Sequence, residues 1–265
     1  MSAATLPAGA MDEGRMTLME HLTELRSRVI KSAIAVAIGA VLAWILYPWI
    51  FDILLHPYHQ ISADQTITGG RLLQTDPLEG FAVRIKIATY GGIAFAMPVI
   101  LWQIWRFVTP GLYKHEKRYA LPFIISAVVL FAMGAGIAYW TLPKALSWLI
   151  GVGGGNLVTG FSPAKYFQLI LYMMMAFGIG FEFPILLIFL QLAGILSNDW
   201  LRKYRRHAIV TVTVVVAVAT PSNDPISMLA LAIPMCLFYE VAIIVGRVIN
   251  RRKRKAAAGQ ATADA

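Results

Sequence analysis

The chain has 265 residues, of which 58% are hydrophobic and 14% charged, with a formal net charge of +9. Soluble domains carry about 25% charged and about 45–50% apolar residues, so a water-soluble globular domain is excluded. Apolar stretches near 20 residues recur along most of the length, the mark of a chain that crosses a membrane repeatedly.

A disordered segment is expected over 1–16. Thr17 and Glu20 then form a capping-box pattern at the start of TLMEHLTELRSRVIK (17–31). Helical spacing stacks Glu20, Glu24 and Arg28 on one face, which is either a weak surface ion pair or a carboxylate held at the membrane surface for a cationic ligand. The first span is expected over Val29–Trp49; it lacks an A-x-A cleavage site and is longer than a signal-peptide core, so it is retained. Trp44, Tyr47 and Trp49 near its end fit an interfacial aromatic belt. The loop HPYHQISADQTITGGRLLQTDPLEG follows, rich in turn formers. His56 and His59 in it have no third ligand, which argues against a metal site.

The second span is expected over Phe81–Trp105, with Pro98 inside it. In FVTPGLYKHEKRYALP (107–122), Glu116 has Leu112, Tyr113, Tyr119 and Ala120 as its helical neighbours, none of them basic; a solvated loop acid is the plain alternative to a binding role. The third span covers Tyr119–Leu142. In the loop after it, GVGGGN lacks the Lys and Ser/Thr of a phosphate loop. The fourth span, Phe167–Leu196, holds Glu182 and Pro184 in an otherwise apolar run. A charge at that depth costs about 2.5–3.5 kcal/mol on insertion scales, so it belongs against the bundle interior or a wet cavity. Pro184 should bend the helix at Gly180. The fifth span, His207–Ala219, is short, and either the bilayer thins there or the helix borrows length from the preceding basic segment. TPSNDP makes a tight turn into the sixth span, Ile226–Gly246, which carries Pro234, Glu240 and the single cysteine, Cys236. A disordered basic tail is expected over 247–265.

Eighteen of the 23 basic residues lie in the N-terminal segment, 106–119, 197–206 and the tail, which by the positive-inside rule puts both termini in the cytoplasm. The basic tail suits anionic lipid headgroups better than nucleic acid. The expected architecture is an all-α membrane protein of six transmembrane helices in a kinked, concave bundle over 17–246. No internal repeat of the kind common in secondary transporters is visible, and no catalytic set stands out. The chain reads as a non-enzyme, without cofactor or metal.

Four segments together, HLTELRSR, WRFVTPGLYKHEKR, AFGIGFEFP and TPSNDPISMLALAIPMCLFYE, resemble TatC, the polytopic subunit of the twin-arginine protein translocase. The resemblance runs from about Leu18 to Gly246. It implies a receptor for signal peptides bearing paired arginines, in the bacterial cytoplasmic membrane, working with TatA-like and TatB-like single-span partners on folded cargo and depending on the proton gradient. It also implies that Glu24 and Glu116 contact the paired arginines, with Arg26, Phe107, Leu112 and Tyr113 shaping that site. Glu182 would act within the concavity, with Glu240 a further polar residue of the spans, and Pro57, Pro98 and Asp224 would serve structure or assembly. Met228 stands where some members carry glutamine, and Ser227 is the candidate substitute for partner docking. The rival reading is a proton-coupled solute or ion transporter using Glu182 as relay.

Overall fold

The computed structural model describes residues 18–61, 72–74, 76–108, 120–153, 161–192, 194–222 and 224–263, with side chains throughout except at 18, 108, 120 and 249–263. The described residues are helical, without strands. The helices are α1 (Leu18–Ile45), α2 (Tyr47–His59), α3 (Glu79–Val108), α4 (Ala120–Val152), α5 (Pro163–Phe181), α6 (Phe183–Leu192), α7 (Asn198–Lys203), α8 (Arg205–Ala219) and α9 (Pro225–Ala263). Five passes are long and apolar enough to cross a membrane: α1, α3, α4, α5 with α6, and α9. The sixth is α8, whose 15 residues rise about 22 Å against a hydrocarbon core of about 30 Å. It gains only two residues from the basic segment before it, because the chain turns at Tyr204 between α7 and α8.

Where the sequence suggests one straight span to Trp49 and then a turn-rich loop, the chain bends at Leu46 and continues as α2 to His59. The outer loop is therefore helical at its start. Pro57 inside α2 has no N–H, which strands the carbonyl of Ile53 four residues back. The hydroxyl of Tyr139 on α4 donates to that carbonyl at 2.9 Å, and the neighbouring Leu54 carbonyl accepts from Tyr166 on α5 at 2.7 Å. Pro57 itself is buried. Two tyrosines from the bundle thus hold the turn that a proline weakens, and α2 lies across the top of α4 and α5.

α4 also runs past the expected Leu142 to Val152, because Leu142, Ala145 and Leu146 keep the apolar stripe of the helix facing the core and are fully buried. The fourth pass breaks where Pro184 predicts. α5 ends at Phe181, Glu182 closes the turn by donating its N–H to the carbonyl of Ile179 at 3.0 Å, and α6 starts at Phe183. Pro98, in contrast, sits within an unbroken α3.

Packing between passes relies on small residues, as it must where lipid removes the hydrophobic drive for helix association. α1 packs chiefly on α3, and a Cβ added to Gly39 would lie 2.6 Å from the Gly92 carbonyl oxygen. α4 packs on α5, where a Cβ on Gly134 would meet the Phe177 carbonyl oxygen at 2.5 Å. The main core joins α2, α4, α5 and α9 around Tyr58, Tyr166, Phe167, Phe177 and Phe181. Two smaller clusters lie toward the opposite end: Trp105, Ile124 and Phe189 between α3, α4 and α6, and Leu201, Tyr239 and Ile243 between α7 and α9. At the tail, α9 continues helical to Ala263, across the segment the sequence reading treats as disordered.

Candidate functional site

The N-terminal turns of α1 run antiparallel to the last turns of α3, and this crossing assembles a polar and aromatic cluster. Arg28 donates from Nε to Glu24 Oε1 at 3.0 Å, and its Nη2 pairs with the same oxygen. Arg28 also reaches across to α3, donating from Nη1 to Gln103 Oε1 at 3.4 Å. One turn further along α3, Phe107 stacks on His21 with ring centroids 4.4 Å apart. His21, Glu24 and Arg28 occupy one face of α1, spaced three and four residues apart, and Gln103 and Phe107 occupy the facing stripe of α3. The second carboxylate oxygen of Glu24 is buried and meets no hydrogen-bond partner among the described residues. Glu24 is thus a half-satisfied acid: one oxygen is shared with Arg28, and the other is buried and unpartnered among the described residues. Arg26 points out of this face and is exposed.

The structure shows the ion-pair reading of Glu24 directly. The i,i+4 pair exists, yet it is part-buried, with only 20% of the Glu24 side chain exposed. Glu116, Leu112 and Tyr113 lie outside the described residues. They fall between α3, which ends at Val108, and α4, which begins at Ala120. His21 and Gln103 were not singled out by the sequence reading. Their signal was available in the i,i+3 spacing of His21 to Glu24 and the i,i+4 spacing of Gln103 to Phe107.

The other candidate residues are dispersed. Glu182 sits at the break between α5 and α6, and its Oε1 is buried without a hydrogen-bond partner among the described residues. Asp224 caps α9: its Oδ1 accepts the Ser227 N–H at 2.7 Å, Pro225 occupies the first helical position, and Ser222 donates its hydroxyl to the other oxygen. Ser227 is fully buried beneath this cap. Glu240 pairs with Arg205 at the start of α8, both side chains substantially exposed. Among the described residues no group of three His, Cys, Asp or Glu side chains is arranged to hold a metal.

A family profile for the Sec-independent protein translocase protein TatC matches residues 20–234. The chain belongs to the TatC family. It is 43% identical over 249 residues to the Sec-independent protein translocase protein TatC of Frankia casuarinae, covering 91% of this chain and 68% of that one. It is 38% identical over 243 residues to the protein of the same name from Aquifex aeolicus, covering 91% of this chain and 98% of that one. A TatC from Corynebacterium kroppenstedtii is 34% identical, with 63% of its length covered. Among solved structures, a crystal structure described as the twin arginine translocase receptor TatC in the detergent DDM superposes with a TM-score of 0.73 at 38% identity, covering 86% of this chain and 99% of that one.

TatC membership makes this chain a multi-pass membrane protein and a component of a protein translocase. A solute transporter with Glu182 as proton relay has no support in that assignment. The all-helical architecture agrees with the solved TatC.

Proposed function

We propose that this TatC is the signal-peptide receptor and core subunit of a twin-arginine translocase, reading paired arginines with Glu24 and Glu116 at the cytoplasmic face of the bacterial inner membrane. The reading is supported by the unpartnered carboxylate oxygen of Glu24, held beside Arg28, Gln103 and the His21–Phe107 stack. A guanidinium presents a planar fork that a carboxylate accepts bidentately, which an ammonium cannot reproduce. Two separated acids can select two adjacent arginines over two lysines. Basic residues around them disfavour peptides that are merely positive.

The positive-inside distribution sets both termini and the Glu24 cluster on the cytoplasmic side. Arg26, Phe107, Leu112 and Tyr113 shape the site around the two acids. TatA-like and TatB-like single-span partners dock on the membrane-facing side, with Glu182 offering a hydrogen bond to a polar group in a partner helix. Ser227 and Glu240 on α9 are further polar groups for partner docking, and Pro57, Pro98 and Asp224 keep the scaffold in shape. The membrane unit is 17–246.

The experiment is site-specific photocrosslinking from positions 24 and 116 to a signal peptide, with its paired arginines intact or replaced by paired lysines. Both positions should crosslink the arginine peptide and lose most of that yield with the lysine peptide. Equal yields from the two peptides, or crosslinks from one position only, overturn the two-acid reader.

A further inference from the structure

At the end of the bundle opposite Glu24, the chain carries a cation that the translocation site does not use. Arg84 lies on the second turn of α3, beneath the bend at Leu46. Its guanidinium carbon sits 4.4 Å from the ring centroid of Trp44, in the last turn of α1, and 5.0 Å from that of Tyr47, which opens α2. Phe81, one turn before Arg84, meets Trp44 edge-on at 6.5 Å. The Nε of Arg84 is buried without a hydrogen-bond partner, and no carboxylate lies within ion-pair distance of the guanidinium among the described residues. The ring faces satisfy the flat side of the group electrostatically. The in-plane donors, which would bind an oxyanion, remain unmatched.

The surroundings say which anion fits. Ile45 is 67% exposed, Phe81 60% and Ile85 45%. These side chains flank the cation on the outward faces of α1 and α3 and would meet acyl chains, not water. An unmatched arginine at the aromatic belt, framed by exposed apolar residues, has the composition of a headgroup site: a charge for the phosphate and a greasy rim for the chains.

We propose that Arg84, held flat by Trp44 and Tyr47, binds the phosphate of an anionic glycerophospholipid whose chains lie against Ile45 and Ile85. The site is specific to a lipid and not to phosphate as such, because the exposed apolar rim offers surface only to acyl chains. The lipid also ties α1 and α3 together at the bend, so occupancy stiffens the junction between the first pass and α2.

The test uses the full chain in neutral detergent, with phosphatidylglycerol, phosphatidylcholine or inorganic phosphate added, and compares the unaltered protein with Arg84→Gln and Arg84→Lys. Native mass spectrometry counts retained lipid and thermal melting reads its effect. The unaltered chain should retain one phosphatidylglycerol that Arg84→Gln binds about fivefold or more weakly. That chain should also gain melting temperature from phosphatidylglycerol while the variant does not. Arg84→Lys should keep part of both effects. A variant in which the basic residues from Arg251 to Lys255 are all changed to glutamine controls for lipid held at the tail, and it should retain the lipid. An equal gain for the unaltered protein and Arg84→Gln reduces Arg84 to a pin for the bend and overturns the proposal. A gain from inorganic phosphate alone overturns the lipid assignment. Should Arg84→Gln not fold, hydrogen exchange on the unaltered chain decides: peptides covering 44–51 and 79–90 must be more protected in phosphatidylglycerol nanodiscs than in phosphatidylcholine ones, and equal protection refutes the site.

Discussion

Replacing Glu24 by glutamine keeps the side chain's shape and removes its charge. In the structure Oε1 accepts from Arg28 Nε at 3.0 Å and from Nη2, while Oε2 is buried and unpartnered. A glutamine amide can satisfy Arg28 through its carbonyl oxygen, but it then turns an NH2 toward the place where an incoming guanidinium would donate. A hydrogen bond to a charged group contributes about 1.5–3 kcal/mol, which corresponds to about 10- to 150-fold in Kd at 1.4 kcal/mol per decade. Arg28 already holds one oxygen, and the side chain is partly solvent-screened, so the lower part of that range applies, about 10- to 30-fold. The assay is fluorescence anisotropy of labelled twin-arginine and twin-lysine peptides on purified protein in neutral detergent. The unaltered chain should favour the arginine peptide, and Glu24→Gln should weaken that peptide by the stated factor and the lysine peptide much less, so the preference narrows. Glu24→Gln with an unchanged ratio between the two peptides refutes a role for this carboxylate in reading guanidinium, whatever happens to absolute affinity.

Asp224→Ala removes the cap of α9 and leaves the Ser227 N–H unsatisfied in a buried site, which should cost about 1–2 kcal/mol and lower the melting temperature; Asp224→Asn, which retains an acceptor oxygen, should recover most of the loss. Gly92→Val should disrupt the α1–α3 crossing, since a Cβ there would lie 2.7 Å from the Ala40 backbone nitrogen; overpacking of about 1–3 kcal/mol would appear as a lower melting temperature, with α1 more open to hydrogen exchange. Tyr139→Phe strands the Ile53 carbonyl opposite Pro57 and should cost about 1 kcal/mol, with faster exchange confined to α2, whereas a uniform loss across the bundle would contradict the assignment of that hydroxyl to the α2 turn.

Much of the architecture was legible because membrane insertion imposes strong rules on composition. Six passes, the short fifth and the break near Pro184 all follow from apolar length and from residues with fixed backbone consequences. The bend at Leu46 and the helical α2 were not legible. Residues 47–49 read as the end of the first span and 56–59, with a proline and two histidines, as loop; tyrosines from α4 and α5, more than 80 residues away in sequence, supply the donors that keep α2 together. At the candidate site, Glu24 and Arg28 could be paired from spacing, and Phe107 was named through the family resemblance. The His21–Phe107 stack and the Arg28–Gln103 bond depend on how α1 crosses α3, and that register comes from the contact of Gly39 with Gly92. Periodicity gives the face of each helix, whereas the register between helices is a tertiary quantity.

Pro57 and Pro184 make the same local demand, each removing a donor and stranding a carbonyl four residues back, yet only the second breaks its helix. The residues beside each proline explain the difference. Ile53 and Leu54 before Pro57 are clamped by hydroxyls from two neighbouring helices, so the weakened turn is over-determined. Before Pro184 stand Gly178 and Gly180, which lower the helical preference of that turn. Gly178 is also pressed so closely on Phe131 that a Cβ would lie 2.5 Å from its ring. The chain resolves this by ending α5 at Phe181 and turning at Glu182. The carboxyl group therefore sits at the break between α5 and α6. Its Oε1 is buried without a hydrogen-bond partner among the described residues, at the edge of the core that α5 forms with α4.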